Sequence, residues 1–182
     1  FRRVLFRSAP LREGGTGAGI VDAGVVYVYQ REASGLYVLL ETYEGDVAGH
    51  RLGETLAMGM LTEGNESDQM MLMGSPEWSN QRGAVQPVIY FRLNDDFIPT
   101  LDGRLTGSLE GDRFGDAVAM FDGQAVVGAP LSRGTRGSAR VYRSVGAGLE
   151  LVEQLVPTGG GQVGDRFGAS VACSGVRVAI GT

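Results

Sequence analysis

The sequence predicts an all-β chain, a β-propeller fragment of about three four-stranded antiparallel blades. Three observations lead there. Glycine supplies 30 of the 182 residues, roughly twice the usual share, and it separates short apolar runs in the manner of short strands and tight turns. Gly111-Asp112-Arg113-Phe114-Gly115 recurs as Gly164-Asp165-Arg166-Phe167-Gly168, with a looser copy at Gly49-His50-Arg51-Leu52-Gly53. Two further signatures follow each copy in the same order, and a period of about 50–60 residues suits a four-stranded blade.

Composition narrows the field. A hydrophobic share of 43% with 20% charged residues is that of a folded chain. Six prolines without a Gly-X-Y period exclude collagen. The single cysteine, Cys173, cannot form an intrachain disulfide and reads as a buried thiol on a strand. No apolar run approaches the ~18 residues of a membrane span, so no membrane insertion is expected. The net charge is −5, every basic residue is arginine and none form a block, so no nucleic-acid partner is expected either.

Taken in order, residues 1–8 read as a non-native scar, residues 9–49 as a partial blade, 50–111 as a divergent blade with a long acidic loop, 112–164 as a full blade, and 165–182 as the start of a further, truncated one. The cleanest copy shows the logic. Asp116 to Phe121 is a first strand of small apolar residues. Asp122-Gly123 is a two-residue hairpin turn, where glycine supplies the positive φ. Gln124 to Gly128 is a wholly apolar second strand, Ser132 to Arg136 a polar loop, and Ser138 to Arg143 a third strand with Ala139, Val141 and Arg143 on one face. Leu149 to Val156 is the fourth. In the divergent copy Pro87 interrupts the third strand, from Gly83 to Tyr90. A sheet apolar on both faces hides them only against the next copy. Ala117, Ala119, Ala169 and Ala172 are small enough for the crowded innermost strands.

The pairing of Phe114-Gly115 with Gly128-Ala129-Pro130, and of Phe167-Gly168 with Gly181-Thr182, resembles the FG-GAP repeat. Leu52-Gly53 with Gly74-Ser75-Pro76 is a divergent version, and Ala9-Pro10-Leu11 matches Ala129-Pro130-Leu131. The chain is similar to the seven-bladed propeller of integrin α subunits, and closer still to short-looped repeats of bacterial and protist secreted proteins. The resemblance implies roughly half of a ring, located outside the cell or at its surface.

It also implies a place to look for calcium, because many such repeats carry an Asp-x-Asp/Asn-x-Asp/Asn-Gly-x-x-Asp loop between their first two strands. Two copies here are too short, turning through Asp122-Gly123 and Ser174-Gly175. The copy after Gly53 is longer, and Glu63, Asn65, Ser67 and Asp68 offer oxygens at nearly alternating positions. Met70 and Met71 stand where a closing carboxylate is expected. The alternative reading is a plain acidic loop.

Other residues bear on chemistry. Trp78, in the loop after Gly-Ser-Pro, is a candidate ligand anchor or a cover for the blade edge. His50 replaces the aspartate of the other copies and reads as a turn substitution. Gly14 to Gly19 lacks the strand–helix setting of a phosphate loop. Met58, Met60, Met70, Met71 and Met73 read as core, and Asn65-Glu66-Ser67 matches a glycosylation acceptor. No nucleophile elbow, His-Glu-x-x-His or Cys-x-x-Cys is present. The expected function is therefore a non-catalytic extracellular binding or adhesion module for a protein or glycan ligand. The alternatives are an accessory propeller of a secreted hydrolase or a structural repeat of a surface protein.

Overall fold

The computed structural model describes residues 4–9, 20–61, 68–93, 96–101, 103–146 and 148–182. The chain divides into two compact units, Phe1–Glu54 and Thr55–Thr182.

In the first unit, β1 (Val4–Ala9), β2 (Val25–Arg31) and β3 (Tyr37–Glu44) form an antiparallel sheet in that order. Val4 to Ser8, set aside as a scar on sequence grounds, lies within β1. Ala9 stands opposite Val25. The β-branched run Val25, Val26 and Val28 is buried, as a pleated strand in the middle of a sheet requires.

The second unit holds three sheets. The first contains β4 (Thr55–Met60), β5 (Gln69–Ser75), β6 (Ala84–Leu93) and β7 (Asp96–Leu101), with β8 (Leu105–Thr106) also paired to β6. The second is a meander of β9 (Ala117–Phe121), β10 (Gln124–Ala129), β11 (Ser138–Val145) and β12 (Gly148–Leu155). The third is the hairpin β13 (Ser170–Ser174) and β14 (Arg177–Gly181). Registers agree between sheets: Ser75 faces Ala84 and Ala129 faces Ser138, the same repeat positions as Ala9 and Val25.

The sheets pack face to face, with β9 beside β4 on one side and beside β13 on the other. Crowding of first strands with fourth strands outermost is the arrangement of propeller blades. The small inner residues permit it; a Cβ on Gly59 would meet Met120. β10 shows why one blade cannot stand alone. Ala125, Val127 and Ala129 join Leu61, Met70, Leu72, Val85, Ile89 and Phe114 in one core. Val126 points the other way, to a second core with Ala139, Val141, Val171 and Ile180.

One strand detail differs from the sequence reading. Pro87 does not interrupt its strand; β6 runs through it. β8 pairs with Ala84 and Val85, and β7 pairs from Val88 onward, so the outer partner is broken opposite Pro87. The equivalent residues Val28 and Val141 are where the other third strands bulge against the fourth. The missing proline N–H thus falls where the ladder is already disrupted. The extra residue of the β11–β12 bulge is Val152, so β11 keeps its alternation: Ala139 and Val141 face the second core, Tyr142 faces the first, and Arg143 is exposed.

Candidate functional site

The repeated feature is a junction between the motif loop and the turn that precedes the third strand of the sheet before it. Each motif loop places its first glycine, its arginine and its last glycine in the left-handed region: φ is 75°, 53° and 84° at Gly49, Arg51 and Gly53; 83°, 52° and 90° at Gly111, Arg113 and Gly115; and 95°, 54° and 96° at Gly164, Arg166 and Gly168. The loops are held by matching backbone hydrogen bonds. Arg51 N–H donates to Asp22 O and Leu52 N–H to Ala23 O, at 3.0 and 2.9 Å. Arg113 and Phe114 donate to Gln81 O and Arg82 O at 2.7 and 3.2 Å, and Arg166 and Phe167 donate to Thr135 O and Arg136 O at 3.1 and 3.0 Å.

Glycine is required where these backbones touch. A Cβ on Gly24, Gly83 or Gly137 would strike the backbone of Leu52, Phe114 or Phe167 well inside the 3.0 Å that real Cβ atoms keep. Gly115 N–H donates to Gly128 O and Gly168 N–H to Gly181 O, both at 2.9 Å. Gly74 in turn abuts Gly115 O, and Gly128 abuts Gly168 O. Gly115 and Gly168 therefore bond within their own sheets and lie bare against the glycine of the sheet before, while Phe114 is driven fully into the intervening core.

The turns on the other side of the junction carry strain. Ser79, Asn80 and Gln81 have φ of 50°, 57° and 61°, and Arg133, Gly134 and Thr135 have 56°, 69° and 66°. Left-handed residues cost about 1–2 kcal/mol each unless glycine. The conformation directs carbonyls at the motif loop: Asn80 O accepts from Gly111 N–H and Thr135 O from Gly164 N–H, both at 3.1 Å.

Side chains differ among the junctions. Arg113 is clamped by Glu77 Oε1 at 2.9 Å and by Asp116 Oδ1 at 2.8 Å. Arg51 reaches Glu54 at 3.7 Å. Asp112 caps its loop, its Oδ2 accepting from Ser108 and Leu109 N–H at 3.1 and 2.9 Å; Asp165 accepts from Gln162 N–H at 2.6 Å. Arg140 donates to Thr106 O and Ser108 Oγ and lies 4.9 Å over the Phe114 ring. The pairing of Glu77 with Arg113 was not legible in the sequence, since the two lie in separate segments that only the fold brings together, whereas Asp116 stands three residues from Arg113. Burial raises the Tyr142 hydroxyl pKa, partly offset by Arg140, and burial also raises that of the Cys173 thiol.

Trp78 is half-buried, with the Arg104 guanidinium 5.4 Å from its ring centroid and Arg104 Nε donating to Gln86 Oε1. Of the candidate calcium residues, Glu63, Asn65 and Ser67 lie outside the described residues. Asp68 is buried at the foot of that loop, where its carbonyl accepts Leu61 N–H at 3.0 Å. The structure therefore brings Trp78 onto the second junction and leaves Asp68 apart from it, at the start of β5. The Gly14–Gly19 segment also lies outside the described residues. Among the described residues no group of three or more His, Cys, Asp or Glu could hold a metal ion.

Residues 106–142 match the family model of the FG-GAP repeat. The chain carries an FG-GAP repeat. The match runs from the end of β8 through the motif loop, β9, β10 and the strained turn into β11. It thus takes in Phe114 and one glycine of each contact, Gly115 and Gly128. No curated protein matches the chain. No helix among the described residues is long and apolar enough to cross a membrane.

Proposed function

We propose that the chain is a non-catalytic binding module, working outside the cell or at its surface, that presents junction loops to a protein or glycan ligand. One observation carries this reading: the same backbone junction occurs three times, held by the same hydrogen bonds, while its side chains change. A constant scaffold with variable loops is suited to recognition. The long second-copy loop adds a weak Ca²⁺ site through Glu63, Asn65, Ser67 and Asp68, whose oxygens suit a hard cation. The test is binding of the whole chain to a panel of glycans and extracellular matrix proteins. Selective binding to a panel member supports the reading; hydrolysis of a panel member, or no binding at all, overturns it. For the cation, calorimetry should give a saturable heat with millimolar Ca²⁺ that Asp68→Asn reduces.

A further inference from the structure

The three junctions have one backbone and opposite charge. The loop segments of the second junction, residues 77–82 and 108–116, contain Glu77, Glu110, Asp112 and Asp116 against Arg82 and Arg113. The described segments of the first, 20–23 and 46–54, contain Asp22, Asp46 and Glu54 against Arg51. The third, 131–136 and 161–169, reverses the balance: Arg133, Arg136 and Arg166 stand against Asp165 alone. The two residues that clamp Arg113 are replaced, Glu77 by Leu131 and Asp116 by Ala169, and Arg133 takes the place of Ser79.

All three guanidinium-bearing residues are exposed. None has a side-chain hydrogen-bond or ion-pair partner among the described residues. Their backbones are nevertheless fixed together, since Arg166 N–H bonds to Thr135 O and Phe167 N–H to Arg136 O. The one carboxylate present, Asp165, is turned to Gln162 N–H. On a chain of net charge −5, three exposed cations without protein partners leave a local positive patch open to an anionic ligand.

We infer that Arg133, Arg136 and Arg166 form a recognition surface for an acidic polysaccharide, with each guanidinium taking a carboxylate in a fork of paired hydrogen bonds. The inference rests on the binding-module reading and names the chemistry of its ligand. A polysaccharide is favoured over an acidic peptide by what surrounds the arginines. Peptide and protein partners dock through desolvated aromatic or aliphatic anchors. Here the position of Trp78 is held by Ser132, which is buried and hydrogen-bonded to Ser138, and Phe167 faces the core; Val163 alone is a large exposed apolar side chain. A stiff chain bearing a charge on successive rings also loses less freedom on binding than a flexible peptide.

The test uses the whole chain, with polygalacturonate as probe and poly-L-glutamate as competitor, at about 50 and about 200 mM salt. Arg133→Gln/Arg136→Gln/Arg166→Gln should weaken polygalacturonate binding by about tenfold or more and flatten its salt dependence. Arg31→Gln/Arg143→Gln/Arg177→Gln, which removes the same charge elsewhere, should change it by less than about twofold. Arg136→Gln alone, at a residue of ordinary φ, should give an intermediate loss and guards against misfolding of the triple variant. Equal losses in the two triple variants, no binding to polygalacturonate, or equally tight binding to poly-L-glutamate would overturn the inference. If another panel ligand binds wild type and triple variant alike, the site falls and the binding-module reading stands; if nothing binds, both fall.

Discussion

Replacing Gly128 by alanine tests the junction most directly. Gly128 lies in β10, paired with Ala117 on one side and Ala139 on the other, and its φ is not in the left-handed region, so the variant has no conformational objection to alanine. What it lacks is room. The new Cβ would sit roughly 1 Å inside the closest approach that real Cβ atoms make, against the backbone oxygen of Gly168 rather than a flexible side chain. Relief requires β13 to move off β10, which strains the 3.0 Å bond from Phe167 N–H to Arg136 O and loosens Val171, Val178 and Ile180 from the second core. Overpacking of about 1–3 kcal/mol, with about 1 kcal/mol for a compromised hydrogen bond, gives a loss of about 2–4 kcal/mol. Urea denaturation followed by circular dichroism measures it. Gly103→Ala, where a Cβ meets nothing within 4 Å and φ is not left-handed, is the control and should change stability by less than about 0.5 kcal/mol. If Gly128→Ala were as stable as that control, the contact between glycines would not be what sets the spacing of adjacent sheets.

Three further outcomes are expected. Phe114→Ala empties a fully buried site at the centre of the first core and should cost about 3–5 kcal/mol, with the half-buried Phe167→Ala costing less; equal losses in denaturant midpoints would contradict the packing. Arg113→Gln leaves Glu77 and Asp116 without their clamp and should cost about 1–2 kcal/mol. Arg166→Gln, in the same loop position without those partners, should cost under about 0.5 kcal/mol, so indistinguishable variants would mean the clamp adds nothing. Cys173 is half-buried rather than fully buried as the sequence suggested, and that partial burial makes the folded chain hold the thiol proton more tightly than the unfolded one. Its contribution is complete below the unfolded thiol pKa of about 8.5 and is lost as pH rises through the higher folded value. Wild type should therefore lose more stability than Cys173→Ala on the alkaline side, and parallel curves would refute the burial argument.

Much of the fold was legible because strand formation here is governed by local rules. Asp122-Gly123 and the apolar run of Gln124 to Gly128 announce β10 and its hairpin, and the structure extends that strand by a single residue to Ala129. Boundaries shifted where side chains intervene: β9 starts at Ala117 because Asp116 is engaged with Arg113 in the loop. The left-handed turns at Ser79–Gln81 and Arg133–Thr135 were not legible, since only Asn80 and Gly134 among those six residues favour that region. They exist because the carbonyls they redirect meet a motif loop some thirty residues further along the chain.

The recurring glycine–arginine–phenylalanine–glycine phrase, its period and the double-sided apolar strands were enough by themselves to determine an all-β repeat whose sheets need neighbours. Periodicity and turn chemistry act over a few residues, so they can be read in one dimension. Only the tertiary structure decided which charges meet. Arg113 is neutralised and Arg166 is not, although both occupy the same word of the repeat: Asp116 is a local neighbour that Ala169 replaces, but Glu77 meets Arg113 only because packing brings its turn against the motif loop. Coulomb interactions depend on separation in space, and that separation is set after the chain has folded.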